Sequence, residues 1–213
     1  MISTVLFDLD GLLSDTEVLH CRAYQTVLGR HGLTLTDQHY EECWIRQGLG
    51  IADFLRTQGL AHDPADLRKA KALEYAHLVE TCCTPMPGAV ELLGRLQGHL
   101  TLALASSAFA DAVHAVLRKL EIADRFACIV TGSDVNRLKP FPDIFLHAAG
   151  RLGVAPGQCI VIEDAEKGIL AARAAGMKSI AVPNRHTAGN DFSAADAVVP
   201  SLNAVTRELI AGL

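Results

Sequence analysis

The sequence lacks an excess of basic residues, long apolar runs and paired cysteines. Its net charge of −5 at pH 7 argues against nucleic acid as the main partner. No apolar run is long enough to cross a bilayer, and no basic segment precedes an apolar run at the N-terminus, so neither a membrane span nor a signal peptide is expected. The six cysteines form no CxxC pair, and the nine histidines have no metal-ligand spacing. We therefore expect a cytoplasmic protein with reduced thiols and no zinc site.

Half of the 213 residues are hydrophobic, which is typical of a chain that buries a sizeable core. Beyond position 88, helix and strand patterns alternate. Strands are predicted at 100–105, 127–131, 159–162, 179–182 and 197–199. Helices are predicted at 89–97, 110–120, 143–152, 165–175 and from Leu202 onward. With a first strand near the N-terminus, this alternation predicts an α/β fold with a doubly wound parallel sheet.

Positions 17–86 show only helical patterns, which predicts a helical-bundle insert. Ser14 and Glu17 have the spacing of a capping box at the start of its first helix. Pro64 suits the first turn of a later helix, and the turn-prone segment 85–88 suits a boundary. The predicted division is a core of residues 1–16 and 87–213 and an insert of residues 17–86.

The first strand ends in two acidic residues, Asp8 and Asp10, after the apolar run 5–7. Side chains two apart on a strand point to the same side, so both carboxylates are expected together at the strand end. Two ionised carboxylates repel each other, and burying either is costly without a cation. The pattern therefore favours a divalent metal ion or a lysine nearby, although Asp and Gly are also common in plain turns.

Polar residues also follow the later strands, and open parallel sheets bind ligands at the carboxyl ends of their strands. These residues are Ser106, Ser107, Lys139, Glu163 and Asp164. Each has a simpler interpretation: the serines and Asp164 as helix caps, Lys139 as a solvated loop residue, and Glu163 as an ordinary charge at the end of a strand. Their recurrence at one edge of the sheet, with complementary charges, favours a common site.

The order DxDGxLxDTE, a strand ending in Ser, KPxPD and EDAxxG resembles the haloacid dehalogenase superfamily of phosphoryl-transfer enzymes. The helical insert resembles the small cap of the subgroup that contains β-phosphoglucomutase and sugar-phosphate phosphatases. The resemblance covers essentially the whole chain. It implies a Rossmann-like core with an inserted cap domain.

The resemblance also implies a role for each motif residue. Asp8 is expected to attack phosphorus and form a phosphoaspartyl intermediate, and Asp10 to act as the general acid and base. Ser106 is expected to hold a phosphoryl oxygen, and Lys139 to balance the charge of Asp8 and the phosphate. The implied cofactor is Mg²⁺, held between Asp8, the backbone carbonyl of Asp10 and Asp164, with Glu163 binding it through a water molecule or lying just outside its direct ligands. Oxygen ligands and a hard cation are compatible with this set.

By the same resemblance, substrate contacts are expected from Ser107 and, in the insert, from His20, Gly48 and Lys71. An ordinary helix-surface imidazole and a solvated helical lysine stay open as alternatives for His20 and Lys71. The insert departs from the mutase pattern at one point. Where the mutase GxxR segment offers an arginine to a second phosphate, this chain has Ile51, which cannot replace a bidentate phosphate clamp. Arg46 is the nearest substitute in the sequence. The loss of the clamp favours hydrolysis over phosphate transfer within a bisphosphate.

The sequence thus predicts a magnesium-dependent phosphatase of small phosphorylated metabolites, with sugar phosphates favoured. The predicted protein is a monomer without nucleic-acid or membrane partners. Two alternatives stay open: a phosphomutase, and a non-catalytic phosphoryl acceptor like the receiver domains, which also combine clustered acids, a hydroxyl and a lysine.

Overall fold

The computed structural model describes residues 1–47 and 49–213, without the side chain at position 46. It separates into two compact units. One unit comprises Met1–Asp15 and Thr84–Leu213, and the other comprises Thr16–Cys83. The second unit is therefore inserted into the chain of the first.

The described elements are short strands and helices. The strands are β1 (Thr4–Phe7), β2 (Thr101–Ala105), β3 (Cys128–Val130), β4 (Cys159–Glu163), β5 (Lys178–Ala181) and β6 (Ala197–Val198). The α-helices are α1 (Glu17–Gly29), α2 (Asp37–Tyr40), α3 (Ile51–Thr57), α4 (Pro64–Cys82), α5 (Ala89–Leu96), α6 (Ala110–Leu120), α7 (Asp143–Leu152), α8 (Glu166–Ala174) and α9 (Arg207–Gly212). Among the residues described, no helix has both the length and the apolar character needed to cross a membrane.

The larger unit is built on a parallel sheet with the strand order β3-β2-β1-β4-β5-β6. Strand β1 lies inside it because Val5, Leu6 and Phe7 are apolar and fully buried. Phe7 pairs with Leu104 of β2 on one side and with Ile162 of β4 on the other. The strand order reverses between β1 and β4, and ligands bind at the carboxyl ends of strands at such a reversal. The predicted fold class is confirmed, and it directs attention to the ends of these two strands.

The smaller unit consists of α1 to α4 with a π-helical segment at Glu41–Arg46. Helices α1 and α4 pack against each other. Its core is formed by apolar and aromatic residues from several helices, among them Leu28, Tyr40, Phe54 and Leu67. Helix α4 begins at Pro64, as predicted, and the Asp63 carboxylate accepts a hydrogen bond from the Ala65 amide.

Two local predictions are wrong. The capping box is absent: α1 begins after Thr16, which makes no side-chain cap, and the Ser14 hydroxyl donates to the carbonyl of Thr84 over 3.3 Å instead. The C-terminal helix does not begin at Leu202. A 3-10 turn occupies Leu202–Ala204, and α9 begins at Arg207 because the Thr206 side chain accepts a hydrogen bond from the Leu209 amide.

Candidate active site

Lys139 is buried at the ends of three strands, although it belongs to the loop between β3 and α7. Its side chain is 1% exposed. The ammonium donates to Oδ1 of Asp8 over 2.5 Å and to Oε1 of Glu163 over 2.6 Å. A third hydrogen bond, of 2.8 Å, goes to the carbonyl of Ala105. Since an ammonium has three donors, all of them have partners here. The lysine is not a solvated loop residue.

The strand and helix on either side of this ion pair hold it in place. The amide of Asp8 donates to the carbonyl of Ile162 over 3.1 Å, which continues the pairing of β1 with β4 by one residue. The ammonium of Lys139 lies 4.9 Å from the ring centroid of Phe145, which is fully buried in α7. A charged group on an aromatic face is attracted by the ring quadrupole. Both partners are therefore fixed by buried apolar structure.

Three buried carboxylates lie together beside the lysine. Asp8, Glu163 and Asp164 each offer an oxygen within 4.8 Å of the other two, and their exposed fractions are 7%, 1% and 5%. Burying several ionised carboxylates against a single ammonium is costly. A hard divalent cation with oxygen ligands removes this cost, so the donor set fits such an ion.

Burial of the charged groups also shifts the pKa values of the site. Burial raises the pKa of Asp8 to about 7; Lys139 opposes this rise, whereas Glu163 and Asp10 add to it. Burial also raises the pKa of Asp164 well above its ordinary value, and the charges of Glu163 and Asp8 act in the same direction. Burial disfavours the charge of Lys139, but Asp8 and Glu163 outweigh it and raise the lysine's pKa. One lysine therefore does not keep all the carboxylates ionised near neutral pH.

The two serines after β2 differ in their contacts. The hydroxyl of Ser106 donates to Oδ2 of Asp10 over 3.0 Å and accepts from the amide of Ala108 over 3.1 Å. It can donate to a phosphoryl oxygen only by giving up Asp10, because a hydroxyl has one proton. The hydroxyl oxygen of Ser107 is buried without a hydrogen-bond partner within the described structure. Neither serine is the N-cap of α6, which is Phe109.

Glu163 is fixed by its own backbone as well as by Lys139. Its Oε2 accepts hydrogen bonds from the amides of Asp164, over 3.0 Å, and Ala165, over 3.1 Å. A methyl group on Gly168 would lie 1.9 Å from Oε1 of Glu163, so only glycine fits there. This contact explains the glycine of the EDAxxG motif. Asp164 is not the N-cap of α8, which is Ala165.

Asn184, in the loop after β5, was not among the predicted site residues. Its side-chain amide donates to Oδ2 of Asp164 over 2.8 Å and to the carbonyl of Gly11 over 2.9 Å. The strand-end rule applied to β5, as it was to the earlier strands, would have indicated this loop. The site therefore extends from the end of β2 across the ends of β1 and β4 to the end of β5.

In the smaller unit, the predicted residues His20 and Lys71 contact each other through Nδ1 and Nζ. The His20 ring stacks on that of Tyr75 at 4.1 Å between centroids. Burial and then the charge of Lys71 lower the pKa of His20 well below 6.5. Ile51 is 1% exposed and belongs to the core of this unit. Gly48 lies outside the described residues.

Comparisons with known proteins find relatives over nearly the whole chain. The model of the haloacid dehalogenase-like hydrolases matches residues 2–176. Fructose-1-phosphate phosphatase YqaB of Escherichia coli (strain K12) is 34% identical over 84% of this chain and 95% of that protein. The β-phosphoglucomutase of Bacillus subtilis (strain 168) is 32% identical over 98% of this chain and 94% of that protein. A crystal structure of a CbbY mutant from Rhodobacter sphaeroides in complex with xylulose-(1,5)bisphosphate is 31% identical, with a TM-score of 0.84 over 96% of each chain.

Proposed function

The chain belongs to the haloacid dehalogenase-like hydrolases, and from this membership we propose that it is a magnesium-dependent phosphatase of small sugar phosphates. The observation that carries the proposal is the buried ammonium of Lys139 between Asp8 and Glu163, beside three clustered carboxylates. The substrate class is supported by the one relative named as a fructose-1-phosphate phosphatase and by the CbbY structure with a sugar bisphosphate. We propose a cytoplasmic monomer without nucleic-acid or membrane partners.

In the first step, a carboxylate oxygen of Asp8 attacks phosphorus and the bond from phosphorus to the ester oxygen breaks. Asp10 gives its proton to that leaving oxygen. In the second step, water attacks the phosphorus of the phosphoaspartyl group and gives a proton to Asp10. The bond between phosphorus and Asp8 breaks, and phosphate leaves. Splitting the reaction in this way replaces one difficult displacement by two easier ones.

The remaining groups position substrate and balance charge. Lys139 offsets the negative charge of Asp8 and of the incoming phosphate. Ser106 holds Asp10, and the unpartnered hydroxyl of Ser107 is available to a phosphoryl oxygen. Asp8, the carbonyl of Asp10 and Asp164 would hold Mg²⁺, and Glu163, whose two oxygens already accept hydrogen bonds, would act through a water molecule or from just outside the direct ligands. When bound, this ion supplies positive charge that screens phosphate from the carboxylates.

We propose that the inserted unit, Thr16–Cys83, selects the sugar through His20, Lys71 and Gly48. Hydrolysis is favoured over a mutase reaction by Ile51, which is 1% exposed in the core of that unit and has no positive charge for a second phosphate. The mutase stays the second candidate because β-phosphoglucomutase of Bacillus subtilis is similar over nearly the whole chain.

The test is a panel of sugar phosphates assayed for phosphate release with Mg²⁺ and with EDTA. We expect phosphate release in the presence of Mg²⁺ and none in EDTA. After rapid quenching, we also expect a phosphoryl adduct on the peptide that contains Asp8. Asp8→Asn is the control for the adduct. A hexose 1-phosphate that yields its 6-phosphate would establish the mutase. A long-lived adduct without turnover of any ester would establish the phosphoryl-acceptor switch.

A further inference from the structure

Asn184 uses every polar atom of its side chain. Its oxygen accepts hydrogen bonds from the amides of His186, over 2.7 Å, and Thr187, over 3.2 Å. These two donors fix which end of the amide is oxygen, so the nitrogen must face the other way. There its two protons go to Asp164 and to the carbonyl of Gly11. The side chain therefore joins the loop after β5 to a predicted metal ligand.

Oδ2 of Asp164 is enclosed on a second side by the turn after β1. Gly11 has φ +85°, and a Cβ there would lie 2.5 Å from Oδ2 of Asp164 and 2.9 Å from Nδ2 of Asn184. Backbone thus approaches this oxygen as closely as only glycine allows. Between the Gly11 backbone and the Asn184 amide, Oδ2 has little room for another ligand.

We propose that Asn184 is a positioning residue that restricts Asp164 to binding a cation through Oδ1 alone, and so makes the site select Mg²⁺ over Ca²⁺. The inference rests on the metal site of the proposed function. Ca²⁺ takes six to eight oxygen ligands and readily accepts both oxygens of one carboxylate. Mg²⁺ requires octahedral geometry and shorter bonds, which single oxygens supply. Because the Asn184 side-chain amide occupies Oδ2 of Asp164, it lowers the affinity of the site for Ca²⁺ relative to Mg²⁺.

The experiment compares Asn184→Ala with the wild-type full-length chain after removal of metal by EDTA and dialysis. Mg²⁺ and Ca²⁺ are titrated separately by calorimetry, without substrate. We expect the Kd for Mg²⁺ to rise about tenfold, the lower end of the cost of losing a hydrogen-bond partner of a metal ligand. The Kd for Ca²⁺ should stay the same or fall, because Asp164 can then use both oxygens. The ratio of the two constants is the decisive quantity.

Thr187→Val is the matched control. The Thr187 hydroxyl accepts a hydrogen bond from the backbone N–H of Asn184 over 3.0 Å, so its loss loosens the same loop without removing the side-chain donor to Asp164. The control should change both affinities by the same factor or not at all. Asn184→Asp is the second variant in case the alanine variant does not fold, because a carboxylate keeps the contacts to His186 and Thr187 but cannot donate. Asn184→Asp should also reduce the preference of the site for Mg²⁺ over Ca²⁺.

The inference is overturned if the Asn184 variants lose both ions in parallel, since that would show a purely structural role, or if neither affinity changes. Failure of the wild-type chain to bind either ion would overturn both this inference and the metal dependence of the proposed function. If the wild-type chain binds the ions but the ratio of the two Kd values is unchanged in the variants, only the role of Asn184 is overturned.

Discussion

Nζ of Lys139 lies 2.5 Å from Oδ1 of Asp8, although 131 residues separate the two in the chain. Both side chains are buried, so the pair forms only when the loop after β3 closes over the ends of the strands. Such a pair need not stabilise the fold, because removing both charges from water costs about as much as their attraction returns. The pair instead matters for the chemistry of the site, because it keeps a carboxylate and an ammonium in contact and shielded from solvent.

We predict that Asp8→Asn abolishes phosphate release while the chain still folds. The amide has nearly the shape of the carboxylate but is a far weaker nucleophile. Because one of three clustered carboxylates is removed, the free energy of unfolding in EDTA should not fall. Phosphate release and thermal unfolding are the two measurements. Turnover at a wild-type rate would exclude Asp8 as the nucleophile.

Asp10→Asn should slow hydrolysis of alkyl phosphates by about 10²–10⁴-fold, the usual contribution of a general acid. With a nitrophenyl phosphate the loss should be much smaller, because nitrophenolate leaves without protonation. The measurement is kcat/KM for both ester classes in wild type and variant. Equal losses on the two classes would contradict the assigned role.

Lys139→Met should lower the free energy of unfolding by about 3–5 kcal/mol in EDTA, since it leaves buried carboxylates without their ammonium. The control is Lys178→Met, which removes a 2.7 Å ion pair with Asp196 whose lysine side chain is 45% exposed. An exposed pair contributes only about 0–1 kcal/mol. Denaturant unfolding of both variants gives the comparison. Similar small losses would mean that Lys139 is not needed to balance the cluster.

Gly168→Ala should destabilise the chain and weaken cation binding, because the added methyl group overlaps Oε1 of Glu163. Gly150→Ala in α7 is the matched control, since a Cβ there meets nothing within 4 Å. Alanine in a helix is favoured over glycine by about 0.5–1 kcal/mol, so the control should gain stability. Opposite signs in thermal unfolding are expected. A stabilised Gly168→Ala chain would show that α8 moves away from Glu163 easily.

His20 should make stability depend on pH in acid. Burial and Lys71 keep its pKa in the folded chain well below the unfolded value of 6.5. Below pH 6.5 the unfolded chain binds a proton that the folded chain does not, so stability is lost as pH falls. The slope for one proton is at most about 1.4 kcal/mol per pH unit. His20→Phe keeps a ring for stacking on Tyr75 and should flatten the difference in unfolding free energy between pH 7 and 5. An unchanged slope would assign the dependence to other groups.

The strand pattern and the strand-end rule predicted most of the core and indicated where to look for a site. Lys139 illustrates the reasoning: its place after β3 put it at the correct edge, and the structure buries it there against Asp8. A local sequence pattern does not indicate which hydrogen-bond partner each side chain of the site has. Ser106 was expected on a phosphoryl oxygen, which stays a prediction, and the structure adds a partner that the sequence does not indicate, Asp10, to which its hydroxyl donates.

Other features escaped because they depend on distant chain segments. The spacing of Ser14 and Glu17 predicted a cap, yet Ser14 bonds to Thr84, and no short window of sequence contains that competitor. Asn184 lies 173 residues from Gly11 and is an ordinary loop residue by composition. Its significance appears only when the ends of β1, β4 and β5 are brought together.

The position of β1 also affects how the protein is made. This strand is synthesised before the other strands of the sheet, and its neighbours begin at Thr101 and Cys159. Non-local pairing is slow because loop-closure entropy is lost before the contacts form. During synthesis, Asp8 therefore lacks Lys139, Glu163 and Asp164 as neighbours until the chain has been translated past β4. A chain that terminates before β4 would have Asp8 but neither Glu163 nor Asp164 beside it.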